Sequence, residues 1–396
     1  MRVEVDHVET IVRPIRVQDE SVSGSLSILH VSQPTEGGVG LYVSDLAAEQ
    51  VARGWRVVVA SPTYGQLAEQ AMDAGAGHIP WSAGRAPVPG SLLDATRLSK
   101  IVRKAEPDLV HLHSSKAGFA GRLALRGRKP TVFQPHAWSF DAVRGPVRPA
   151  AIAWERSAAR WAAIVLCVSP SERQHGVDAG IHANWRVVPN GVDASSWPVA
   201  SDDERSATRK RLGLGDLPTV VCVGRLARQK WQDVLLAAWP DVLQQVPQAQ
   251  LVLVGDGPDA EPLRKQADGA VVFAGHRTNV AEWLAAADVV VFPSRWEGMS
   301  IGLLEAMACG RSIVATDVPG TSEALGDVTG PLVQPEDPAA LAAAIVARLQ
   351  DPRRATAEGR AARQRVEQSF PLAVTRAAVA ALYEELLSSN TEPSPL

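Results

Sequence analysis

The stretch of sequence that decides the fold, residues 288–320, reads DVVVFPSRWEGMSIGLLEAMACGRSIVATDVPG. It opens with an apolar run of strand length, residues 288–292, which a proline ends. A helix follows, because Ser300 is a suitable N-cap and apolar residues then recur at three- and four-residue steps until Gly310, a typical left-handed stop. Residues 313–315 resume a strand. The stretch therefore predicts the order strand, loop, helix, strand.

Two carboxylates in this stretch, Glu297 and Glu305, stand eight positions apart, one in the loop and one inside the helix. Both can face the crevice beyond the carboxyl end of the strand. The helix N-terminus between them offers unpaired N–H groups and positive dipole charge, which suit a phosphate. Taken alone, the pair also fits an acid/base pair of a hydrolase, or a solvated loop charge beside a helix-surface charge.

The composition indicates a globular protein of two domains. The chain has 396 residues, of which 46% are hydrophobic and 21% charged, which fits two packed cores better than disorder. We expect neither a membrane span nor a signal peptide, because no apolar run reaches roughly 18 residues and the amino terminus is charged. A cytoplasmic location follows as an expectation. The three cysteines lack paired spacing, which favours reduced, buried thiols.

The charge is unevenly distributed. The net charge is −3, but residues 97–160 contain 13 basic and 4 acidic residues. Such a patch can attract an anionic membrane surface or a phosphorylated acceptor, or it can be a solvated face. Within it, residues 143–163 combine arginines with Trp154 and Trp161. This mixture is typical of an interfacial helix, although tryptophans packed in a core explain it almost as well.

The amino-terminal half begins with a strand over residues 27–32, followed by a loop containing Gly37 and Gly38 and by an amphipathic helix. A glycine turn between a strand and a helix can bring backbone amides close to a phosphate. On its own, a pair of glycines is also common in turns that bind no ligand. Strands and helices then alternate as far as residue 169, which predicts a parallel sheet with helices on both faces.

Three of the histidines on strands or strand ends of this half lie near the predicted crevice. His136 follows the strand 131–134, at the carboxyl end where ligand contacts concentrate. His111 and His113 alternate along another strand. They resemble a metal pair, but no third ligand has suitable spacing. We interpret them as strand-end residues near the crevice.

The carboxy-terminal half opens with a strand over residues 219–223, followed by Gly224, Arg225 and Lys230. A forked cation and a point cation at a strand end can bind a pyrophosphate, although surface charges would look the same. Residues 255–260, GDGPDA, fit the dinucleotide fingerprint G-x-G-x-x-G/A. That fit supports an NAD-dependent dehydrogenase as the alternative. Against it, a proline would occupy the phosphate turn and no acidic residue follows the next strand.

The ordered set of motifs resembles the retaining glycosyltransferases of family 4, also called glycosyl transferases group 1, over about residues 26–387. The resemblance includes a hinge segment around Asn190. It implies an α/β fold of the GT-B class, with two Rossmann-like parallel-sheet domains facing across a cleft. The expected divisions are a flexible extension (1–24), an acceptor-side domain (25–195), a donor-binding domain (196–370), a helix returning to the first domain (371–387) and a tail (388–396).

The resemblance also implies roles for individual residues. The catalytic positions would be Arg225, Lys230, Glu297 and His136. The donor-binding positions would be Gly37, Gly38, Gly224, Arg277, Gly298, Met299, Ser300, Ile301 and Glu305. The sequence departs from the family at Met299-Ser300, where an aromatic residue is common, and at Trp231, which replaces a common glycine.

The implied activity is transfer of a sugar, with retention, from a nucleotide-sugar donor to a hydroxyl of a glycan or lipid-linked glycan precursor in cell-surface polysaccharide synthesis. UDP is the expected nucleotide and GDP the second. No D-x-D pair ends a strand, so we expect no essential metal, and no cofactor beyond the donor. Peripheral membrane contact through residues 97–160 is expected, and nucleic acid is not an expected partner. A non-catalytic nucleotide-sugar-binding protein and a nucleotide-sugar epimerase remain alternatives.

Overall fold

The computed structural model describes residues 25–84, 91–267, 270–327 and 329–389, and these form two parallel sheets covered by helices. The predicted extension 1–24 lies outside the described residues, as do residues 390–396 of the predicted tail. The α/β architecture with two parallel-sheet domains is confirmed.

The first sheet has seven described strands in the order β3-β2-β1-β4-β5-β6-β7, every pair parallel. Its strands are β1 (Ser27–Ser32), β2 (Arg56–Ser61), β3 (Gly77–Pro80), β4 (Leu109–His113), β5 (Thr131–Gln134), β6 (Ile164–Cys167) and β7 (Trp185–Val187). Its helices are α1 (Gly37–Ala52), α2 (Leu67–Asp73), α3 (Ser91–Ala105), α4 (Ser114–Leu125), α5 (Val147–Ala158) and α6 (Pro170–Asp178).

The second sheet has six described strands in the order β10-β9-β8-β11-β12-β13, again parallel throughout. Its strands are β8 (Thr219–Val223), β9 (Gln250–Val254), β10 (Val271–Gly275), β11 (Val289–Phe292), β12 (Ser312–Thr316) and β13 (Leu332–Val333). The remaining helices are α7 (Asp202–Arg211), α8 (Gln232–Gln245), α9 (Ala260–Gln266), α10 (Val280–Ala286), α11 (Ile301–Ala308), α12 (Thr321–Leu325), α13 (Pro338–Leu349), α14 (Pro352–Ser369) and α15 (Leu372–Ser388).

Both faces of the second sheet are buried because its strands are apolar without alternation. Along β11, Val290 joins one core cluster while Val289 and Val291 join the cluster on the opposite face. Successive strand residues point to opposite faces, so a strand that is apolar throughout must be covered on both sides. This is why the run around residues 288–292 was recognisable as a buried strand.

The chain crosses between the two sheets twice, at adjacent positions. The Val192 N–H donates to the Phe370 carbonyl at 3.0 Å, and the Leu372 N–H donates to the Val192 carbonyl at 3.2 Å. Beyond this point α15 packs on the first sheet, where Val379, Leu382 and Tyr383 are buried in one cluster with residues of β1 and β4. The two crossings therefore lie side by side, joined by backbone hydrogen bonds.

The sequence missed the short strands at the sheet edges. It placed no strand at β7 (Trp185–Val187), which pairs with β6, and none at β3 (Gly77–Pro80), which pairs with β2. Strands of three or four partly exposed residues carry little apolar pattern, so local reasoning has little to detect.

Candidate active site

The candidate site lies between the two sheets, at the strand ends where the order of each sheet reverses. In the first sheet this point lies between β1 and β4, and in the second between β8 and β11. Such switch points open a crevice beyond the carboxyl ends of the strands. The loops after β1, β8 and β11 carry most of the residues that the sequence singled out, whereas His136 follows β5 and Arg277 follows β10.

Glu297 and Lys230 form an ion pair that joins two of these loops. Lys230 Nζ donates to Glu297 Oε1 at 2.5 Å, and Ser294 Oγ donates to the same oxygen at 2.7 Å. The exposed fractions of the two charged side chains are 19% for lysine and 7% for glutamate. The carboxylate is therefore held in one orientation, with its lysine still reachable from the cleft.

Gly224 and the glycines of the dinucleotide-like turn are explained by backbone packing. Gly224 has φ +152°. A β-carbon added at this position would lie 3.6 Å from the side-chain methylenes of Lys230. A β-carbon at Gly255 would stand 2.0 Å from the Gly224 carbonyl oxygen, and one at Gly257 would stand 2.2 Å from that of Leu226. The turn packs against the loop of Lys230, so its glycines do not require a dinucleotide.

Trp231 adopts a left-handed conformation, with φ 56° and ψ 39°. This is costly for a residue with a side chain, about 1–2 kcal/mol, and it explains why a glycine would suit the position. The Arg295 guanidinium stacks over the Trp231 ring at 3.9 Å. The Arg295 N–H also donates to the Gln229 carbonyl at 2.8 Å. These contacts hold the loops after β8 and β11 together.

The N-terminus of α11 has no side-chain cap. Ser300 takes the N-cap position, but its side chain caps no backbone N–H, so the first-turn amides stay available for an anion. The Met299 carbonyl accepts a hydrogen bond from Asn190 Nδ2 at 2.8 Å. One turn into the helix, Glu305 is 9% exposed, and burial raises the pKa of its carboxyl to about 7.

The glycine loop of the first sheet faces this helix. Gly37 has φ +66° and begins α1, and a β-carbon at Gly38 would stand 3.6 Å from Cβ of Ile301. The structure therefore brings together residues separated by more than 260 positions in the chain. Both helix N-termini meet across the cleft.

His136 lies on a strained loop that sequence reasoning did not anticipate. His136 and Ala137 have φ of 52° and 95°. Glu172 supports the loop, because its Oε1 accepts from the Ala137 N–H at 2.6 Å and its Oε2 from the Val168 N–H at 2.7 Å. Burial raises the pKa of the Glu172 carboxyl to about 7. An added β-carbon on Gly298 would stand 3.1 Å from Glu172 Oε1, so this support touches the donor-side loop.

The interpretation of His111 and His113 needs correction. Both are fully buried, and His30 on β1 joins them, so that three histidine ligand atoms lie within 4.8 Å of one another. The spacing of residues in the sequence did not reveal the third histidine, because His30 lies on the neighbouring strand. There it pairs with His111 in register. Their ring nitrogens are largely engaged in hydrogen bonds to protein side chains.

One predicted site residue, Arg277, stands apart from this core. Arg277 is exposed beyond β10, the edge strand of its sheet, with its guanidinium over the Trp283 ring at 5.8 Å. No described contact joins it to Glu297 or Lys230. Arg225 is exposed on the loop after β8, beside Lys230.

The apolar residues in and beside the basic region 97–160 differ in their exposure. Trp154 packs on Phe119 with ring centroids 4.4 Å apart and meets Trp161 edge-on, so these tryptophans pack within the protein. On α3, by contrast, Leu92 and Leu93 are 67% and 62% exposed. Among the described residues, no helix is both long and apolar enough to cross a bilayer.

Comparison with known proteins agrees with this geometry. The family model described as Glycosyltransferase Family 4 matches residues 36–196, and the one described as Glycosyl transferases group 1 matches residues 217–351. The chain is 32% identical over 353 residues to a GDP-mannose-dependent alpha-(1-6)-phosphatidylinositol monomannoside mannosyltransferase of Mycolicibacterium smegmatis. That alignment covers 83% of this chain and 90% of the relative.

Two further matches extend the comparison. A Corynebacterium glutamicum GDP-mannose-dependent monoacylated alpha-(1-6)-phosphatidylinositol monomannoside mannosyltransferase is 36% identical over 204 residues, 48% of this chain and 54% of that protein. Here the chain spans about half the length of its relative. The Anabaena protein HepE, solved in complex with UDP and glucose, superposes with a TM-score of 0.79 at 23% identity, covering 91% of this chain and 99% of that one.

Proposed function

The chain belongs to glycosyltransferase family 4, and from this premise we propose that it transfers a sugar from a nucleotide-sugar donor to a hydroxyl of a glycan or lipid-linked acceptor, with retention at the anomeric carbon. The observation that carries the proposal is the ion pair between Lys230 and Glu297 beside the uncapped N-terminus of α11. It places a cation, a carboxylate and free amides at one switch point.

In this proposal the donor diphosphate lies between the loop after β8 and the N-terminus of α11. Arg225, Lys230 and the amides of residues 298–301 neutralise the departing diphosphate, which is the main electrostatic task when a glycosidic phosphate leaves. Glu305 accepts hydrogen bonds from the ribose hydroxyls. Glu297, already oriented by Lys230 and Ser294, is left to hold hydroxyls of the sugar.

We further propose that the acceptor attacks on the face from which the diphosphate departs, with a phosphate oxygen taking its proton. Supporting this, the carboxylate nearest the reacting sugar, Glu297, is engaged by two hydrogen-bond donors and is poorly placed to act as a nucleophile. The cations of the loop after β8 supply the charge that a metal would otherwise provide, so we propose that turnover needs no metal.

For the donor nucleotide, the sequence resemblance favours UDP, with GDP second. The M. smegmatis relative, which is matched over 90% of its length, carries GDP-mannose in its name. We therefore propose GDP-mannose as the first donor to test and UDP-glucose as the second.

For the acceptor, we propose a molecule that carries phosphate, because cations gather at the cleft mouth. Arg228 reaches across the cleft to donate to the Ala142 carbonyl at 3.2 Å, and its guanidinium lies over the Trp296 ring at 5.5 Å. Burial and the neighbouring charges of Arg144 and Arg295 lower the pKa of Arg228. Positive charges held this close together favour the binding of an anion between them.

A membrane-bound acceptor fits the surface of α3. Its exposed leucines, Leu92 and Leu93, precede a row of exposed basic side chains at residues 97, 100, 103 and 104. Apolar residues beside a basic face are typical of helices that lie on anionic lipid surfaces. We propose that this helix contributes to peripheral membrane contact.

A nucleotide screen tests the proposal. We expect GDP or UDP to raise the melting temperature of the purified protein, and the matching nucleotide sugar to release nucleoside diphosphate in the presence of acceptor. NAD serves as the comparison ligand for the dehydrogenase alternative. Absence of any shift with every nucleoside diphosphate would contradict the proposal. Binding without release over many turnovers would instead indicate a binding protein.

A further inference from the structure

A row of four side chains runs from the interior of the first sheet to the cleft, and we call it the histidine row. Gln50 Oε1 lies 2.8 Å from His30 Nε2, and His30 Nδ1 lies 2.9 Å from His113 Nε2. His113 Nδ1 in turn lies 3.2 Å from His136 Nε2. Gln50, His30 and His113 are buried, with exposed fractions of 0%. The row thus ends at the residue predicted to contact the donor.

The Gln50 carbonyl gives the row one direction. An amide oxygen only accepts, so His30 must carry its proton on Nε2, which leaves His30 Nδ1 as an acceptor. His113 then donates from Nε2 and accepts at Nδ1, and His136 donates from Nε2. Within the described residues Nδ1 of His136 has no hydrogen-bond partner. The chain of bonds therefore leaves a lone pair on that nitrogen.

Burial keeps the members of the row neutral, as this pattern requires. It lowers the pKa of His30 to about 4 and that of His136 to about 3, and it lowers the pKa of His113 well below its usual value. The Gln50 amide also lies beside Tyr383. Burial raises the pKa of the Tyr383 hydroxyl, and the neighbouring Gln50 side chain partly opposes that rise, although Gln50 Nε2 has no hydrogen-bond partner among the described residues.

A metal ion held by His30, His111 and His113 is the competing account, since their ligand atoms lie within 4.8 Å. Both ring nitrogens of His30 and of His113 already take part in the row. His111 bonds Tyr383 through Nδ1 at 2.5 Å. His111 Nε2 has no hydrogen-bond partner among the described residues, but a metal bound to His30 and His113 would have to break the hydrogen bond that joins Nδ1 of the first to Nε2 of the second, which the row keeps.

We propose that Gln50, His30 and His113 are positioning residues that hold His136 as its Nε2-protonated tautomer, so that Nδ1 accepts a hydrogen bond from a hydroxyl of the donor sugar. The inference rests on the proposed function, in which His136 faces the donor. The strained backbone at His136 and Ala137, supported by Glu172, sets where the ring stands. The row sets which nitrogen carries the proton.

The first test reads the tautomer directly. Long-range ¹H–¹⁵N correlation spectra of the full chain labelled with ¹⁵N-histidine, with His136→Gln used for assignment, should show the proton of His136 on Nε2 and none on Nδ1. The reverse tautomer in the unliganded protein would overturn the proposal. This measurement needs no substrate, so it is independent of whether the chain is a glycosyltransferase.

The second test compares two substitutions of one residue. His113→Phe removes both hydrogen bonds, whereas His113→Gln keeps one donor and one acceptor. We expect His113→Phe to lower kcat/KM with the active nucleotide sugar by about tenfold, the value of one hydrogen bond, with the Kd for its nucleoside diphosphate unchanged. His113→Gln should recover most of the loss. The matched control is His78→Gln on β3, whose partner is Ser61 and which should behave as the unaltered protein.

The outcomes separate this proposal from the proposed function. If the unaltered protein binds no nucleoside diphosphate, the proposed function fails while the tautomer is still measured. If it turns over and His113→Phe has unchanged kcat/KM, the positioning role is wrong. A donor analogue lacking the contacted hydroxyl should abolish the difference between His113→Phe and the unaltered protein. A difference that persists with every single-deoxy analogue would also contradict the proposal.

Discussion

Lys230 and Glu297 meet at 2.5 Å although they lie 67 positions apart in the chain. The contact joins the loops that follow β8 and β11, the two strands that flank the switch point of the second sheet. A diphosphate arriving at this point would compete with Glu297 for the lysine. The ion pair is therefore a measurable part of donor binding.

Replacing Lys230 by alanine should remove a positive charge that neutralises the departing diphosphate. We expect kcat to fall by about 100- to 1,000-fold, the usual effect of losing one group that stabilises a developing negative charge. Lys265→Ala is the matched control, because Lys265 is an exposed lysine on α9 of the same domain. Equal rates for the two variants, with both correctly folded, would remove Lys230 from the site.

The affinity for nucleoside diphosphate should depend on the ionisation of Glu305. Because burial raises the pKa of this carboxyl to about 7, the form that accepts ribose hydrogen bonds becomes populated only near neutral pH. Calorimetric titration should show tighter binding at pH 8 than at pH 6. Glu305→Gln should bind about tenfold more weakly at pH 8 and show little pH dependence.

Glu305 also has a predicted effect on stability. Its pKa is higher in the folded protein than in the unfolded chain, so the unfolded state binds fewer protons between about pH 4.5 and 7, and stability falls as pH rises through that range. The cost at pH 8 is up to about 3 kcal/mol. Glu305→Gln should therefore raise the free energy of unfolding at pH 8 and leave it nearly unchanged at pH 5. A loss of stability at pH 8 would contradict this.

Gly298 should tolerate no β-carbon. An alanine there would place Cβ 2.9 Å from Val168 Cγ2 and 3.2 Å from the Ala137 nitrogen, pushing the donor-side loop away from the first domain. Because such misplacement costs about 100-fold in rate, kcat/KM should fall strongly while the melting temperature changes little. Gly77→Ala is the control, since its β-carbon meets only ordinary contacts at 3.5 Å or more. Similar kinetics for both variants would contradict the close approach.

The buried ion pair between Arg122 and Glu155 should be costly to break. Arg122 Nη2 lies 2.7 Å from Glu155 Oε2, with side-chain exposures of 1% and 2%, and its guanidinium packs 3.8 Å over the Phe133 ring. Arg122→Met leaves an uncompensated carboxylate and should destabilise the protein by about 3–5 kcal/mol in urea unfolding. The double variant Arg122→Met/Glu155→Leu should lose less. A double variant with a lower free energy of unfolding than the single variant would contradict this account.

Membrane contact through α3 should depend on its exposed leucines. We expect Leu92→Ser/Leu93→Ser to reduce co-sedimentation with vesicles containing phosphatidylinositol at low salt, because each exposed leucine contributes about 1.5–3 kcal/mol when fully buried in an apolar phase. Val272→Ser serves as the control, because Val272 is an exposed apolar residue on the other domain. If the unaltered protein fails to sediment, the membrane proposal is wrong.

The sequence predicted features that local patterns encode. The spacing of Glu297 and Glu305 around a helix start, the glycines after β1, and the cations after β8 all follow from short-range signals. These residues do surround one cleft, with Gly38 against Ile301. Their roles in binding and catalysis stay predictions.

The rest depends on neighbours that only the fold supplies. His30 joins His111 because two parallel strands pair in register, and Glu172 supports His136 from a separate helix. The left-handed backbone of Trp231 was hinted at only by the glycine that the family commonly has there. Sheet order and side-chain partners across strands leave no fixed spacing in the sequence, so pattern reasoning could not reach them.

The return of α15 to the first sheet affects how the protein folds as it is made. Tyr383, buried against β1 and β4 and bonded to His111, leaves the ribosome long after these strands, because the second sheet is synthesised in between. Amino-terminal domains usually fold first during synthesis, but this one lacks part of its core until the second sheet and α15 have been made. Nascent chains should thus keep the apolar surface under α15 exposed, which makes them substrates for chaperones until α15 docks.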